Sequence, residues 1–183
     1  MKNNVLKRSL AIILLILFVV CVVSCVNAET SDDSELTMLT LSKGGIVINY
    51  PSDWGYSEAT SQYSIMSISK LDSIDGAGIG QVNINIEKKP IEGEFYSFVN
   101  KTYDSMQKDS SFQLVSSGAV SMKGIDALEY IYISNQNGTE KEHKAVWFEK
   151  GGQAYVLLYS APPADFENNL YVFDYILSDI QIT

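Results

Sequence analysis

Residues 125–161 read IDALEYIYISNQNGTEKEHKAVWFEKGGQAYVLLYSA, and their spacing decides the fold. Residues 125–134 are rich in β-branched and aromatic side chains and predict a long strand. Asn137-Gly138 follows, the strongest short hairpin signal in the chain, because a tight type I′ turn needs positive φ at both central positions. Residues 142–149 predict the returning strand, with Val146 and Phe148 inside. Gly151-Gly152 turns the chain again. Residues 154–159 (AYVLLY) are apolar at every position, as expected of a central strand covered on both faces. Three strands joined by two tight turns make an antiparallel meander, and the rest of the chain has to build on it.

Working outward, Pro162-Pro163 ends the meander and opens a helix whose buried stripe is Phe166, Leu170, Phe173, Ile176 and Leu177. Residues 180–183 are compatible with a last short edge strand. On the N-terminal side, Gly44-Gly45 opens a strand from Ile46 to Tyr50. Residues 63–69 (YSIMSIS) predict a second strand. Gly76, Gly78 and Gly80 mark a turn. Residues 81–87 (QVNINIE) alternate, with Val82, Ile84 and Ile86 on one face and Asn83, Asn85 and Glu87 on the other, the pattern of a half-buried antiparallel strand. Over 93–109 the period changes. Phe95, Phe98, Val99, Tyr103 and Met106 fall at spacings of three and four, one helical stripe. Residues 112–121 return to strand, and Lys123-Gly124 turns the chain into 125. The expectation is an α+β domain: an antiparallel β-sheet of six to eight strands flanked by two helices.

The N-terminus reads as an address. Lys2, Lys7 and Arg8 precede an unbroken apolar run of 14 residues, Leu10 to Val23. That is short of the ~20 residues a membrane span needs and fits a signal-peptide core. Val22-Val23-Ser24-Cys25 resembles a lipoprotein lipobox, with an aliphatic residue at −3, a small one at −1 and cysteine at +1. The expected organisation is therefore a lipoprotein-type signal peptide over 1–24, a lipid-anchored acidic linker over 25–43 and a folded domain over 44–183. Cys25 is the expected lipidation site, and the protein is expected on the outer face of the cytoplasmic membrane. Two alternatives remain open: cleavage after Ala28, which would release a secreted protein, or retention of the segment as a short anchor. Cys21, with Val20 before it, fits the lipobox poorly.

Composition limits what the domain can do. Of 13 basic residues, Lys2, Lys7 and Arg8 stand at the extreme N-terminus, so the remainder is more acidic than the whole-chain charge of −9. Arg8 is the sole arginine. An acidic body without guanidinium groups excludes nucleic acid as a partner and excludes a planar phosphate clamp. The body beyond Cys25 lacks cysteine, so it has no thiolate nucleophile or thiolate metal site. His143 is the only histidine, too few for a multi-histidine zinc centre, and it lies between Glu142 and Lys144 at a position read as solvated. Gly76-Ala77-Gly78-Ile79-Gly80 precedes a strand rather than a helix, so it reads as a hairpin turn and not a phosphate loop. Asp72 and Asp75 do not match calcium-loop spacing, and Asp32, Asp33 and Glu35 read as a solvated tether. No catalytic residue, metal or cofactor is expected. Asn100-Lys101-Thr102 and Asn137-Gly138-Thr139 are glycosylation sequons, so Asn100 and Asn137 are candidate modification sites.

The order of motifs resembles a known family. Tyr50-Pro51-Ser52-Asp53-Trp54 ends the first strand; Lys123-Gly124-Ile125-Asp126-Ala127-Leu128-Glu129-Tyr130 runs into the meander. Glu149-Lys150-Gly151-Gly152-Gln153-Ala154-Tyr155-Val156-Leu157-Leu158-Tyr159-Ser160-Ala161 and the closing helix follow. This is similar to PsbP-like domains, including small PsbP-related lipoproteins, over residues 44–183. The resemblance implies an α/β/α-type sandwich and a mostly non-enzymatic family, whose plant member is an extrinsic subunit docked on photosystem II. On that basis the expected role is a binding or accessory module that docks to a membrane protein complex or binds a small ligand. The alternatives are a carboxylate-based hydrolase or enzyme subunit, and a passive structural protein of the envelope.

Overall fold

A computed structural model describes residues 37–183 apart from 59, 60 and 137. The strands are β1 (Met38–Lys43), β2 (Ile46–Pro51), β3 (Trp54–Ser57), β4 (Ser64–Lys70), β5 (Asn83–Pro90), β6 (Phe112–Met122), β7 (Ile125–Gln136), β8 (Thr139–Lys150), β9 (Gln153–Ala161) and β10 (Gln181–Ile182). Two α-helices, α1 (Phe95–Met106) and α2 (Pro163–Asp179), and a 3-10 turn at Leu71–Ser73 complete the described residues. The expected α+β antiparallel architecture is what forms.

The meander is the centre of the molecule. Seven strands pair in the order β3-β4-β5-β9-β8-β7-β6, every pair antiparallel. The β7–β8 hairpin closes with Gln136 opposite Thr139. Gly138 sits at φ 83°, a left-handed conformation that glycine adopts without strain. β9 is buried on both faces, which explains its continuous apolar run.

Alternation along these strands sorts side chains to two faces. Ile84, Ile86, Val146, Phe148, Leu157 and Tyr159 point to one face, where Phe166, Val172, Phe173 and Ile176 of α2 meet them. Tyr130, Tyr132, Ala145, Trp147, Ala154 and Val156 point to the other, against Phe95, Val99 and Tyr103 of α1. The two helices thus cover opposite faces, giving the layered sandwich that the family resemblance implies. Phe166 and Phe173 are 2% and 0% exposed, and side chains of this size contribute about 1.5–3 kcal/mol each when fully buried. α1 is capped by Glu94, whose carboxylate accepts the N–H groups of Tyr96 and Ser97. α2 begins with Pro163 at its first turn, and the Lys123 ammonium donates to the carbonyls of Asp179 and Ile180 at its end.

A second, three-stranded sheet, β1-β2-β10, lies on the α2 side. It corrects the linker boundary. Residues 38–43, read as the end of the tether, form β1, which pairs along the whole of β2 from Met38–Pro51 to Lys43–Ile46. Gly44-Gly45 is the turn between these strands rather than the start of the fold. β3 was not visible in the sequence either; it is four residues long. Tyr50 and Trp54 are buried in the core.

Candidate functional site

The Ser/Asn-rich face of β4 and β5 is where the sheet extends beyond α1. Alternation sends Met66, Ile68, Ile84 and Ile86 into the α2-side core, so Ser67, Ser69, Asn83 and Asn85 must point the other way. Register then brings them together: Ser67 opposes Asn85 and Ser69 opposes Asn83. On the far side of β5, Leu158 opposes Asn85 and Ser160 opposes Asn83. A bulge between Ser64 and Met66 absorbs Ile65, which joins the α2-side core, and leaves Ser64 beside Asn85 and Glu87.

Two walls rise over this floor. Ser57, Glu58 and Ser61 border one side, and Gly78, Ile79 and Gly80 the other. The second wall is tied down by Asp75. One of its carboxylate oxygens accepts the N–H groups of Ala77 and Ile79, both at 2.9 Å, and the other accepts the Gln81 amide at 2.7 Å. The hydrogen bond from Ile79, ahead of those from Ala77 and Gln81, holds the Asp75 carboxyl below the usual aspartate range. Asp75 is thus spent on its own loop. Gly80 lies so close to β4 that a Cβ there would overlap the Ser69 side chain, so glycine is required for the loop to come down. The result is an open groove of about 480 Å³. Its side chains are hydroxyls, amides and two aliphatics, Ile79 and Leu158. Among the described residues its one carboxylate, Glu58, is engaged by Lys43 and Tyr56. Asn83 spends an amide proton on the Gly80 carbonyl, and Asn85 bridges Ser64 and Glu87.

The row of Asn83 and Ser160 continues across β8 to His143. The solvated reading of His143 is wrong. Its imidazole lies between Ser134 (2.8 Å) and Ser160 (2.7 Å) and stacks on Tyr132 at 4.6 Å between ring centres. Burial, and then the Lys141 charge, push it down to about 4. The sequence hid this because Ser134 and Ser160 are far from His143 in the chain and only strand register unites them. The cluster has the residue types of a serine–histidine pair but not the chemistry. A base so far below neutral abstracts protons poorly, and the Ser160 hydroxyl is buried at mid-sheet.

A carboxylate pair stands elsewhere in the fold. Glu129 and Asp174 border a cavity of about 410 Å³ between α2 and the β6–β7 hairpin. Lys144 stands between them, at 3.4 Å from Glu129 and 3.0 Å from Asp174. An ammonium bridging both carboxylates makes an ion network rather than a general acid facing a general base. Among the described residues no cluster of three or more His, Cys, Asp or Glu side chains could hold a metal.

The modification candidates divide. Asn100 is exposed on α1, and its side-chain oxygen accepts the Tyr130 hydroxyl at 2.8 Å. Asn137 and Cys25 lie outside the described residues, as do Asp32, Asp33 and Glu35. Among the described residues no helix is long and apolar enough to cross a membrane.

Known folds place this architecture. The cyanobacterial PsbP of Synechocystis sp. superposes with a TM-score of 0.57 at 15% identity, covering 89% of this chain and 99% of its own. LpqN of Mycobacterium tuberculosis, involved in cell envelope biogenesis, gives 0.56 at 15% identity, with 81% and 92% covered. The Pseudomonas aeruginosa protein PA94 gives 0.51 at 13% identity, with 77% and 94% covered. At these identities the likeness is one of fold. No curated protein matches the sequence. The profile of the PsbP-like protein family matches residues 10–181, nearly the whole chain, and the chain belongs to that family.

Proposed function

We propose that this PsbP-like protein is a non-catalytic binding module, held on the outer face of the cytoplasmic membrane through a lipid on Cys25, that receives a small ligand in the β4–β5 groove. The groove carries the reading. It is open, walled by an internally tied loop, and floored by small polar side chains. Membership of a family of mostly accessory proteins supports the absence of catalysis. The locked His143 and the Lys144-bridged carboxylates support it further, since neither set is arranged for proton transfer. The envelope role of LpqN agrees with an extracytoplasmic setting. The signal-like N-terminus and the acidic stretch after it agree with a tether.

The full chain, immobilised from membranes, is exposed to a small-molecule cell extract, and the retained compounds are measured by mass spectrometry beside those retained by Ser67→Tyr, which fills the groove. The expected result is a compound kept by the native chain and lost by the variant. Equal retention by both chains overturns the groove as the site. Intact mass of the membrane-extracted protein checks the tether: a mass starting at Cys25 with added lipid is expected, and an unlipidated mass starting at Glu29 overturns the anchor.

A further inference from the structure

We infer that the ligand class of the β4–β5 groove is a neutral saccharide, an inference that rests on the binding reading above. The argument is one of matching chemistry. Serine hydroxyls and asparagine amides each donate and accept, as sugar hydroxyls do. Ser57, Ser61, Ser64, Ser67 and Ser69 place five hydroxyls around one groove, and Asn83 and Asn85 add two amides. Among the described residues, Ser57, Ser67 and Ser69 are not committed to side-chain hydrogen bonds, and Asn83 gives only its amide nitrogen to Gly80. The groove therefore holds acceptors and donors in reserve.

Other ligand classes fit worse. Among the described residues an anion would meet no cationic side chain on the lining, with Glu58 at the rim and a protein of net charge −9 behind it. A cation would find no free carboxylate there among the described residues, because Glu58 is paired with Lys43 and the nearby Asp75 is spent on its loop. An acyl chain would strip water from the serines and asparagines without replacing their hydrogen bonds. Ile79, 58% exposed, and Leu158 on the floor give the groove its apolar surface. That is suited to the C–H face of a pyranose, while the hydroxyls and amides engage the ring's edge. The volume of about 480 Å³ falls within the usual range of small-molecule sites.

The test is an NMR titration of the isotope-labelled full chain in lipid nanodiscs, following the Asn83 and Asn85 side-chain amides and the Ile79 methyls. The probes are maltotriose and diacetylchitobiose as neutral saccharides, sodium sulfate as an anion, and the capped dipeptide acetyl-Ser-Ala-amide. Saturable shifts of these groups with a saccharide are expected. Ser67→Ala should weaken the saccharide about 3- to 10-fold, the value of one neutral hydrogen bond, and Ser67→Tyr should abolish the shifts. Ser178→Ala, on α2, should leave them unchanged. Shifts with sulfate or the dipeptide and none with either sugar overturn the saccharide inference and leave the groove a binding site. Silence with every probe overturns the saccharide inference, and the extract experiment then decides the groove. Saccharide shifts that Ser67→Tyr leaves intact place the sugar elsewhere and also overturn it.

Discussion

Acid should unfold this protein through His143, and the size of the effect follows from its burial. In the unfolded chain a histidine titrates near 6.5, whereas in the fold the His143 imidazole is held down to about 4. Above pH 6.5 both states carry it neutral, and its contribution to folding is intact. As the pH falls below 6.5 the unfolded chain takes up a proton that the folded one refuses, so stability drops until the pH passes about 4. Linkage puts the loss at about 2 kcal/mol at pH 5 and about 3 kcal/mol at pH 4. The assay is urea unfolding followed by tryptophan fluorescence, on the native chain and on His143→Gln, at pH 7, 5 and 4. Carboxylates that titrate over the same range act on both chains and cancel in the comparison. With urea slopes of about 1–3 kcal/mol per molar, the native midpoint should fall about 1 M further than that of the variant between pH 7 and pH 5. Parallel pH profiles for the two chains would show that the Ser134–His143–Ser160 cluster is not the proton-excluding site described here.

Three other expectations follow from particular contacts. Trp147 donates its indole N–H to the Tyr103 hydroxyl at 2.9 Å, whereas the buried Trp54 N–H has no partner among the described residues. Trp147→Phe should therefore cost about 1–2 kcal/mol more than Trp54→Phe in chemical denaturation, and equal costs would refute the assignment. Asp75→Ala should speed hydrogen exchange of the Ala77 and Ile79 amides by about tenfold or more while leaving the amides of β8 protected; unchanged exchange would show that the carboxylate does not hold the loop. Lys144→Met removes the cation between Glu129 and Asp174, and thermal unfolding should fall by a few degrees, corresponding to about 1 kcal/mol. A melting temperature that stays constant would make the bridge incidental.

Much of the fold could be read from local pattern because its signals are local. The β7–β8 turn is written in Asn137-Gly138, the burial of β9 in AYVLLY, and α1 in the spacing of Phe95, Val99 and Tyr103. What escaped was set by distant partners. β1 carries a weak alternation, with Leu39 still 39% exposed, and becomes a strand only because β2 offers it a full edge. β3 is held by four pairs to β4. His143 sits in a polar stretch, and nothing within several residues of it announces that Ser134 and Ser160 will enclose it. The groove was half legible. Alternation placed Asn83 and Asn85 on the face away from the core, but their meeting with Ser67 and Ser69 is a consequence of strand register, which the sequence leaves open.

The composition of that face is the strongest argument that it does more than meet water. Sheet faces left uncovered by helices are kept soluble by charged residues, and this chain uses them elsewhere: Lys88 and Lys89 follow on β5, and Glu140, Lys141 and Glu142 open β8. Long charged side chains would spread over the sheet and fill the space between the two loop walls. Over β4 and β5 the sequence places serine and asparagine instead, short enough to leave that space open and too polar to call for a covering helix. Leu158 then lies partly exposed on the floor, although its neighbours on β9, Leu157 and Tyr159, are fully buried. The 12 residues of α1 cover the end of the sheet carrying Tyr130, Trp147 and Val156. Short polar side chains, one apolar patch and a loop fastened by Asp75 keep this part of the face concave, as a site that receives a small polar molecule requires.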